Sequence, residues 1–460
     1  MQAIGVIMMF GLLVLAVWSI ARPPLAFAIL NLMFPIKQVL QGYMPVLVQY
    51  GGQMSMVIVG LAAMSVAYKS TRKTLTVTSY FSPVTWCALT IYAMSVFALL
   101  YTPARESALG MFKDSGPYMF VFVLVYPFLL SSLEDLRQGI LLTVTLGCFV
   151  VVAYFFNPSA QWSGGRFVVN LGQMYGVTDF TSNPLALADA GGMLMIFAAL
   201  MNFSEKGRMA PVYMVAGLML GLGLAIVSGT RGQIIFAIIV SVAMYPISRK
   251  IKDAKQFLLV SFGVMAMLGI VFLTFSIFLE GEAARRWSFN LVQEGSQDRQ
   301  QRLLLAMQFY FQHPAGWFLG NGTNSFAYFM GHLLDYPHNL AAELLLDYGI
   351  VGLGIGVLAG YFTYRNCRRM IAMYGDNPVT RGTVAAWVGL CIFGFMTSMK
   401  QGGVVGQPVP FCYWIVLAKI LHDELRAAHA REQHDFLYGA ESYDAPLALE
   451  YGEKLEESPG

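Results

Sequence analysis

Charge is what this chain has least of. Only 12% of its 460 residues are charged, against about a quarter in an average soluble domain, while 57% are hydrophobic. A water-soluble globule of this length is excluded, and no nucleic-acid partner is expected from a net charge of +3. Cysteine is also scarce. The five that occur (Cys87, Cys148, Cys367, Cys391, Cys412) lie mostly inside apolar runs and form no CxxC pair. They read as small buried hydrophobes rather than as a metal site or a disulfide framework. No glycine-rich phosphate loop and no HExxH occur, so neither a metal nor a cofactor is implied. No internal repeat stands out, which withholds support from an inverted-repeat transporter. The first apolar run, Ala3 to Ile20, lacks a basic leading region and a small-residue cleavage site, so it reads as a retained span.

What is there is a succession of apolar runs, each long enough to cross a hydrocarbon core of roughly 30 Å. They fall near 3–21, 53–68, 83–101, 117–133, 138–155, 184–202, 210–227, 233–247, 256–279, 341–364, 383–398 and 409–422. Residues 23–52 are ambiguous between a short span, a re-entrant piece and an interfacial helix. The sequence thus predicts an all-α polytopic membrane protein of about twelve transmembrane helices. A long, partly helical loop is expected between the span ending near 279 and the one starting near 341. Basic clusters at Lys69–Lys73, Lys206–Arg208, Arg249–Lys255 and Arg365–Arg381 all fall on one side when the spans are threaded in order, and the positive-inside rule makes that side the cytoplasm. The expected division is a bundle over 1–422 and a cytoplasmic tail over 423–460. The stretches 102–116, 156–183, 228–232, 280–340 and 399–408 are then extracytoplasmic. A loop as long as 280–340 is usually functional.

Residues with chemical potential gather on that outer side. Arg231, in VSGTRG, sits in a tight turn between two apolar runs, where an arginine is costly unless it snorkels or finds a partner. It reads either as a solvated turn or as an anion-binding residue beside Gly and Ser amides near a helix start. The loop GEAARRWSFNLVQEGSQDRQQRLLLAMQFYFQHPAGWFLGNGTNSF carries Arg285, Arg286, Arg299 and Arg302. Its apolar residues Leu303, Leu304, Met307, Tyr310 and Phe311 recur at helical spacing, so 298–312 is expected to be an amphipathic helix that Pro314 and Gly316 terminate. Arg299 and Arg302, three apart, share a face of it. In YPHNLAAELLLDYGIVGLG, Pro337 suits a first helical turn. That places His338 near the positive helix end, where the imidazole is kept neutral and able to act as a base. Asn339 follows it. Glu343 and Asp347, four apart, share a face, and partnership with arginines is their leading expectation.

These stretches resemble the superfamily of O-antigen ligases and Wzy-type O-antigen polymerases. VSGTRG looks like its Ser-x-Ser/Thr-Arg-Gly turn. QDRQQRLLLAMQFYFQHPAGWFLGNGTNSF looks like its arginine helix with His-Pro and a glycine-rich turn, and PHNLAAELLLDYGIVGLG like its His-Asn and acid-x-Gly-Ile-x-Gly element. The likeness covers about 210–365. The usual tryptophan after the loop arginine is replaced by Leu303, which leaves Arg299 and Arg302 as equal bearers of that role. The resemblance implies a metal-independent glycosyltransferase of the GT-C type acting at the periplasmic face. Its donor would be a glycan on undecaprenyl pyrophosphate, and its acceptor a growing glycan or lipid A-core. His338 would be the base, and Arg231 with Arg299 or Arg302 would carry the pyrophosphate. Asn339, Glu343, Asp347, Arg285 and Arg286 would contribute to substrate binding. Membrane lipid, a flippase and a chain-length regulator are the further partners implied. The compact loop favours a repeat-unit polymerase. A ligase is the first alternative and a lipid-linked oligosaccharide transporter the second, although a transporter would want charges along its spans, which read as nearly charge-free.

Overall fold

A computed structural model describes residues 2–172, 181–251, 253–259, 261–263, 269, 289–332, 335–374, 377–405 and 409–438. Helices dominate, and the protein is a multi-pass membrane protein built from them. Among the described residues, nine helical stretches are long and apolar enough to cross a membrane, or ten if one bent pair counts as a span. The expected span over 256–279 and the tail 439–460 lie largely or wholly outside the described residues.

Helices α1 (Gln2–Ala21), α2 (Pro23–Asn31) and α3 (Met33–Tyr43) open the chain. The last two bend by 68° at Leu32, which gives residues 23–43 of the ambiguous stretch the form of a broken span or a re-entrant piece. Helix α2 is buried almost throughout: Phe27 stacks on Tyr126 at 4.8 Å and meets Trp387 at 5.6 Å. Helices α4 (Gly51–Thr71), α5 (Pro83–Phe97), α6 (Arg105–Phe120) and α7 (Leu133–Phe155) follow. The expected outer loop 102–116 is corrected here, because most of it forms the first turns of α6. After α6 the backbone widens and then tightens through Val121–Leu129, a stretch flanked and entered by Pro117 and Pro127, which cannot complete a regular ladder.

A two-stranded antiparallel hairpin, β1 (Ala160–Ser163) with β2 (Arg166–Val169), is an addition to the all-helical expectation. Then come α8 (Pro184–Leu200), α9 (Ala210–Val227) and α10 (Arg231–Arg249). Helices α8 and α9 meet through glycine: a Cβ built on Gly191 would lie 2.6 Å from the Gly221 carbonyl oxygen. Small residues let backbones approach closely where lipid gives no hydrophobic drive for association. The chain continues with α11 (Phe289–Gln312), α12 (Ser325–Met330), α13 (Leu340–Met373), α14 (Pro378–Gln401) and α15 (Val409–Tyr438). Helix α15 runs unbroken across position 423.

Several starts are written locally. Ser82-Pro83, Asn183-Pro184 and Asn377-Pro378 each pair a side-chain cap with a proline in the first turn. Two buried lysines then tie the basic end of the bundle. Lys419 Nζ donates to the Leu130 carbonyl (2.9 Å) and pairs with Asp423 (2.8 Å). Lys69 Nζ donates to the Leu129 carbonyl (3.1 Å) and to Ser131 Oγ (2.7 Å). Both satisfy carbonyls left open where the irregular stretch ends. Lys419 and Asp189 also correct the expectation of nearly charge-free spans. Lys419 reaches backbone and an acid at the bundle's end, and Asp189 lies in the second turn of α8.

Candidate functional site

The opposite end of the bundle is organised around the start of α13. The helix begins at Leu340, and the Asn339 side chain caps it by accepting from the Ala342 amide (3.0 Å) while donating to the Met399 carbonyl (3.2 Å). Pro337 and His338 therefore precede the helix, not within its first turn as expected, because Asn339 outcompetes Pro337 for the capping place. His338 adopts φ +54°, a left-handed conformation that costs a non-glycine residue energy. Its ring sits 4.0 Å from that of Tyr336. Burial, then the nearby Arg302 and Arg299 charges, lower its pKa to about 4, with Asp298 and Asp335 opposing. The lowered pKa favours the uncharged imidazole, with burial and the arginines as its causes rather than a helix end.

The two acids do something other than pair with arginines. Glu343 accepts from the Val404 amide (2.8 Å) and from the Gly403 amide. The Gly402-Gly403 turn, with φ of 68° and 90°, wraps its amides around that carboxylate as a small anion nest. Asp347 accepts from the amides of Asn324 (2.8 Å) and Ser325 (3.1 Å) and from Ser325 Oγ (2.6 Å). It therefore caps α12 from a distant helix. Neither carboxylate bonds to an arginine among the described residues. The reason is geometric: both are buried (6% and 2% exposed) and face backbone amides.

Just after Asp347, α13 breaks at Gly349 (φ 68°, ψ −167°). The glycine-rich turn docks into that break. Asn321 and Gly322 amides donate to the Leu346 and Asp347 carbonyls, and the Ile350 amide donates to the Trp317 carbonyl (2.9, 3.0 and 2.9 Å). A Cβ on Gly320 would lie 2.1 Å from the Asp347 carbonyl group. The acid-x-Gly element and the Gly-Asn-Gly turn are thus two halves of one joint.

Helix α11 lies across this joint. Ala306 and Tyr310 are buried against Phe326, Ala342 and Leu346, with Leu303 and Met307 half-buried beside them. The apolar face is turned relative to expectation: Leu304 (61%) and Phe311 (65%) are exposed. The two arginines on α11 differ. Arg302 bonds to Asp298 (3.1 Å) and to Asp335 (2.8 Å), and those acids raise its pKa. Arg299 is exposed and makes no ion pair among the described residues, yet lies close enough to act electrostatically on His338, Tyr336 and Lys400. Arg231 is the first residue of α10, following a turn in which Gly229 has φ 68° and Ser228 Oγ meets Thr230 Oγ1 at 2.8 Å. Arg285 and Arg286 lie outside the described residues.

Two groups escaped the reading from sequence. Lys400, at the end of α14, donates to Gln233 Oε1 (2.6 Å) and feels Arg299, Arg231 and Arg166 as well as Asp189. It therefore sits at the focus of a cationic cluster drawn from β2, α10, α11 and α14. A charged residue at the edge of an apolar run was the signal available for Lys400 and Asp189. A cavity of about 580 Å³ opens beside the cluster, lined by Tyr336, Pro337, Glu343, Asp347, Gln401 and Asp114 among others. No group of three or more metal-binding side chains occurs among the described residues.

Such an arrangement can take a proton on a neutral imidazole and hold a polyanion with guanidinium and ammonium groups. No known protein family matches the chain, and no curated protein matches it either.

Proposed function

We propose that the protein is a membrane glycosyltransferase of the bacterial inner membrane, transferring a glycan from undecaprenyl pyrophosphate to an acceptor hydroxyl at the periplasmic face. The observation that carries this reading is a His338 whose pKa is lowered by burial, Arg302 and Arg299, next to the Tyr336–Pro337 wall of a cavity in a bundle of lipid-length helices. Transfer from a lipid diphosphate needs those two functions together. A base must take the acceptor's proton, a contribution of roughly 10²–10⁴ in rate. Cations must stabilise the charge that grows on the diphosphate as the glycosidic bond breaks, and arginine's planar fork suits phosphate oxygens. In the balanced step the acceptor oxygen bonds to the anomeric carbon, His338 takes the hydroxyl proton, and the bonding pair leaves with the diphosphate. Arg231, Arg299 and Lys400 would receive that charge, while Arg302 would fix α11 through Asp335. The positive-inside bias supports placing this end outside and the C-terminus in the cytoplasm.

Repeat-unit polymerisation is the form we favour, with lipid A-core ligation as the alternative. The test is reconstitution of purified protein with undecaprenyl-pyrophosphate glycan, with and without lipid A-core, alongside His338→Ala. A ladder of longer lipid-linked glycans from donor alone supports polymerase. Transfer only on adding lipid A-core supports ligase. No reaction in a folded preparation overturns both and brings the transporter reading forward.

A further inference from the structure

One lysine inside the bundle faces no acid. Lys37 lies in α3, the second limb of the bent pair, about 9 Å along the axis from the helix end at Tyr43. Its Nζ donates to Ser55 Oγ on α4 (3.3 Å) and lies 5.3 Å from the centre of the Phe34 ring. Ser55 is 2% exposed, so the ammonium is drawn into the bundle rather than out to the surface. A hydroxyl and a ring hold that charge without neutralising it, and no carboxylate among the described residues pairs with it. A lysine at membrane depth is costly unless paired, and an unpaired one marks a place for a ligand.

The place is also open. Lys37 lines a cavity of about 460 Å³ between α3, α4 and α6, within the range of about 300–1,000 Å³ usual for small-ligand sites. Lys113 stands on its wall, exposed and likewise without an ion pair among the described residues. Helix α4 begins on the same wall at Gly51 and Gly52, which adds the positive end of its dipole. Asp114 is the one acid there among the described residues, and it bonds to neither lysine.

The rest of the wall decides what kind of anion fits. Phe34, Met56, Val59 and Pro117 make it apolar. Met56 is 63% exposed on a helix of membrane length, which brings the cavity to the lipid face of α4. The occupant therefore needs an anionic part for the lysines and an apolar part for the bilayer. A metal ion is opposed by both lysines, and a neutral sugar leaves Lys37 unneutralised. A free anion must shed its water to come this far below the helix end, whereas a lipid phosphate is held at that level by its own chains.

We propose that Lys37 and Lys113 bind the phosphate headgroup of a membrane lipid, apart from the cationic cluster around Lys400. Helix α6 stands between this site and the 580 Å³ cavity described above: Lys113 and Pro117 face one, Gly110 and Met111 the other, and Asp114 and Asn183 border both. The site rests on the glycosyl-transfer reading only for which lipid it takes. There it would hold the headgroup of the accepting lipid-linked molecule, while Arg299 and Lys400 hold that of the donor.

The test uses the full chain in phosphatidylcholine nanodiscs and three photoreactive lipids, each with a diazirine near its headgroup: undecaprenyl phosphate, phosphatidylglycerol and uncharged undecaprenol. Mass spectrometry then maps the crosslinks. Labelling at Phe34 or Tyr118, both half-buried in the cavity wall, is expected from at least one phosphate and not from undecaprenol. Lys37→Met should lower it about ten- to a hundredfold, the worth of a hydrogen bond to a charged group. Its thermal midpoint should equal or exceed wild type, since an unpaired charge is removed. Lys37→Arg, which keeps the charge, should keep the labelling, and Arg299→Gln should leave it unchanged. Labelling by undecaprenyl phosphate supports the site as one for a lipid-linked substrate, and labelling by phosphatidylglycerol alone supports it as one for the surrounding bilayer. No labelling at that wall, equal labelling by undecaprenol, or wild-type labelling in Lys37→Met overturns it. If labelling behaves as expected while no lipid-linked donor is turned over, the headgroup site stands and the transferase reading falls.

Discussion

Asp347→Ala should loosen the glycine-rich turn without touching the chemistry directly. The carboxylate accepts three hydrogen bonds, from the Asn324 and Ser325 amides and from Ser325 Oγ. Removing it costs three hydrogen bonds, at about 1–3 kcal/mol for each donor left buried and unpaired; the Ser325 amide keeps the Gly322 carbonyl at 3.2 Å. Ser325 is fully buried, but Asn324 is only half-buried, and its amide can turn to water. One buried orphan, Ser325 Oγ, at about 2 kcal/mol, plus the lost distal cap of α12 at about 1, gives about 3 kcal/mol. This is a local figure, because the main core reaches the start of α13 through Leu340 and Leu344 as well as Tyr348, none of which bonds to the Asp347 carboxylate. Three kcal/mol raises the population of an undocked turn about 150-fold. Limited proteolysis between Pro314 and Gly331, measured in nanodiscs under conditions where cleavage is slow relative to closing, reads that population. We expect cleavage about two orders of magnitude faster, with Asp347→Asn intermediate because its amide keeps one acceptor while turning a donor toward donors. Wild-type cleavage combined with lost turnover would refute the reasoning and assign Asp347 to the substrate.

Other expectations follow from the same geometry. His338 has a folded pKa below the ordinary histidine value of about 6.5, so its basic form persists down to about pH 4. The acid limb of kcat/KM should lie near there, and Arg302→Gln, which leaves Asp298 and Asp335 unopposed, should shift it upward; a limb unmoved by that change would remove His338 as the titrating base. Between pH 6.5 and about 4 the unfolded chain binds the proton that the fold excludes, so this group should cost stability as pH falls through that window, and His338→Ala should flatten that part of the melting profile. Arg299→Gln should lower turnover far more than melting temperature, whereas Arg302→Gln should lower both, and the reverse pattern would exchange their roles. Lys419→Met strands Asp423, which is 7% exposed at its side chain, and should destabilise by about 3–5 kcal/mol; Lys419→Met with Asp423→Leu should recover most of that in a thermal-melt series. Gly191→Val should separate α8 from α9, read as loss of folded protein in detergent.

How much of this was legible in the residues depends on the length scale of the interaction. Helices announce themselves because apolar runs and their Ser-Pro or Asn-Pro starts are local. The turn before Arg231 and the arginine helix were legible for the same reason. The faces of that helix were not: Leu304 and Leu303 are equally apolar, and only the partner surface of Phe326 and Leu346 decides which is covered. Glu343 and Asp347 were visible as buried acids, but their acceptance of amides from 324–325 and 403–404 depends on turns that positive-φ glycines set far away in sequence. His338 was found for its place beside a helix start, while its neutrality comes from burial and from arginines on another helix. Lys400, Gln233, Gln401 and Asp189 were the hardest to see. Lys400 and Gln401 are neighbours on α14 while Asp189 and Gln233 each stand on another helix, and their meaning arises only where α8, α10 and α14 converge. A sequence prints positions 189, 233 and 400 far apart and gives no sign that Lys400 bonds to Gln233 beside Asp189. The chemistry of such a site is therefore carried by the packing of the helices, and a single substitution that tilts α14 relative to α10 should damage it as surely as removing Lys400, whose bond to Gln233 joins the two.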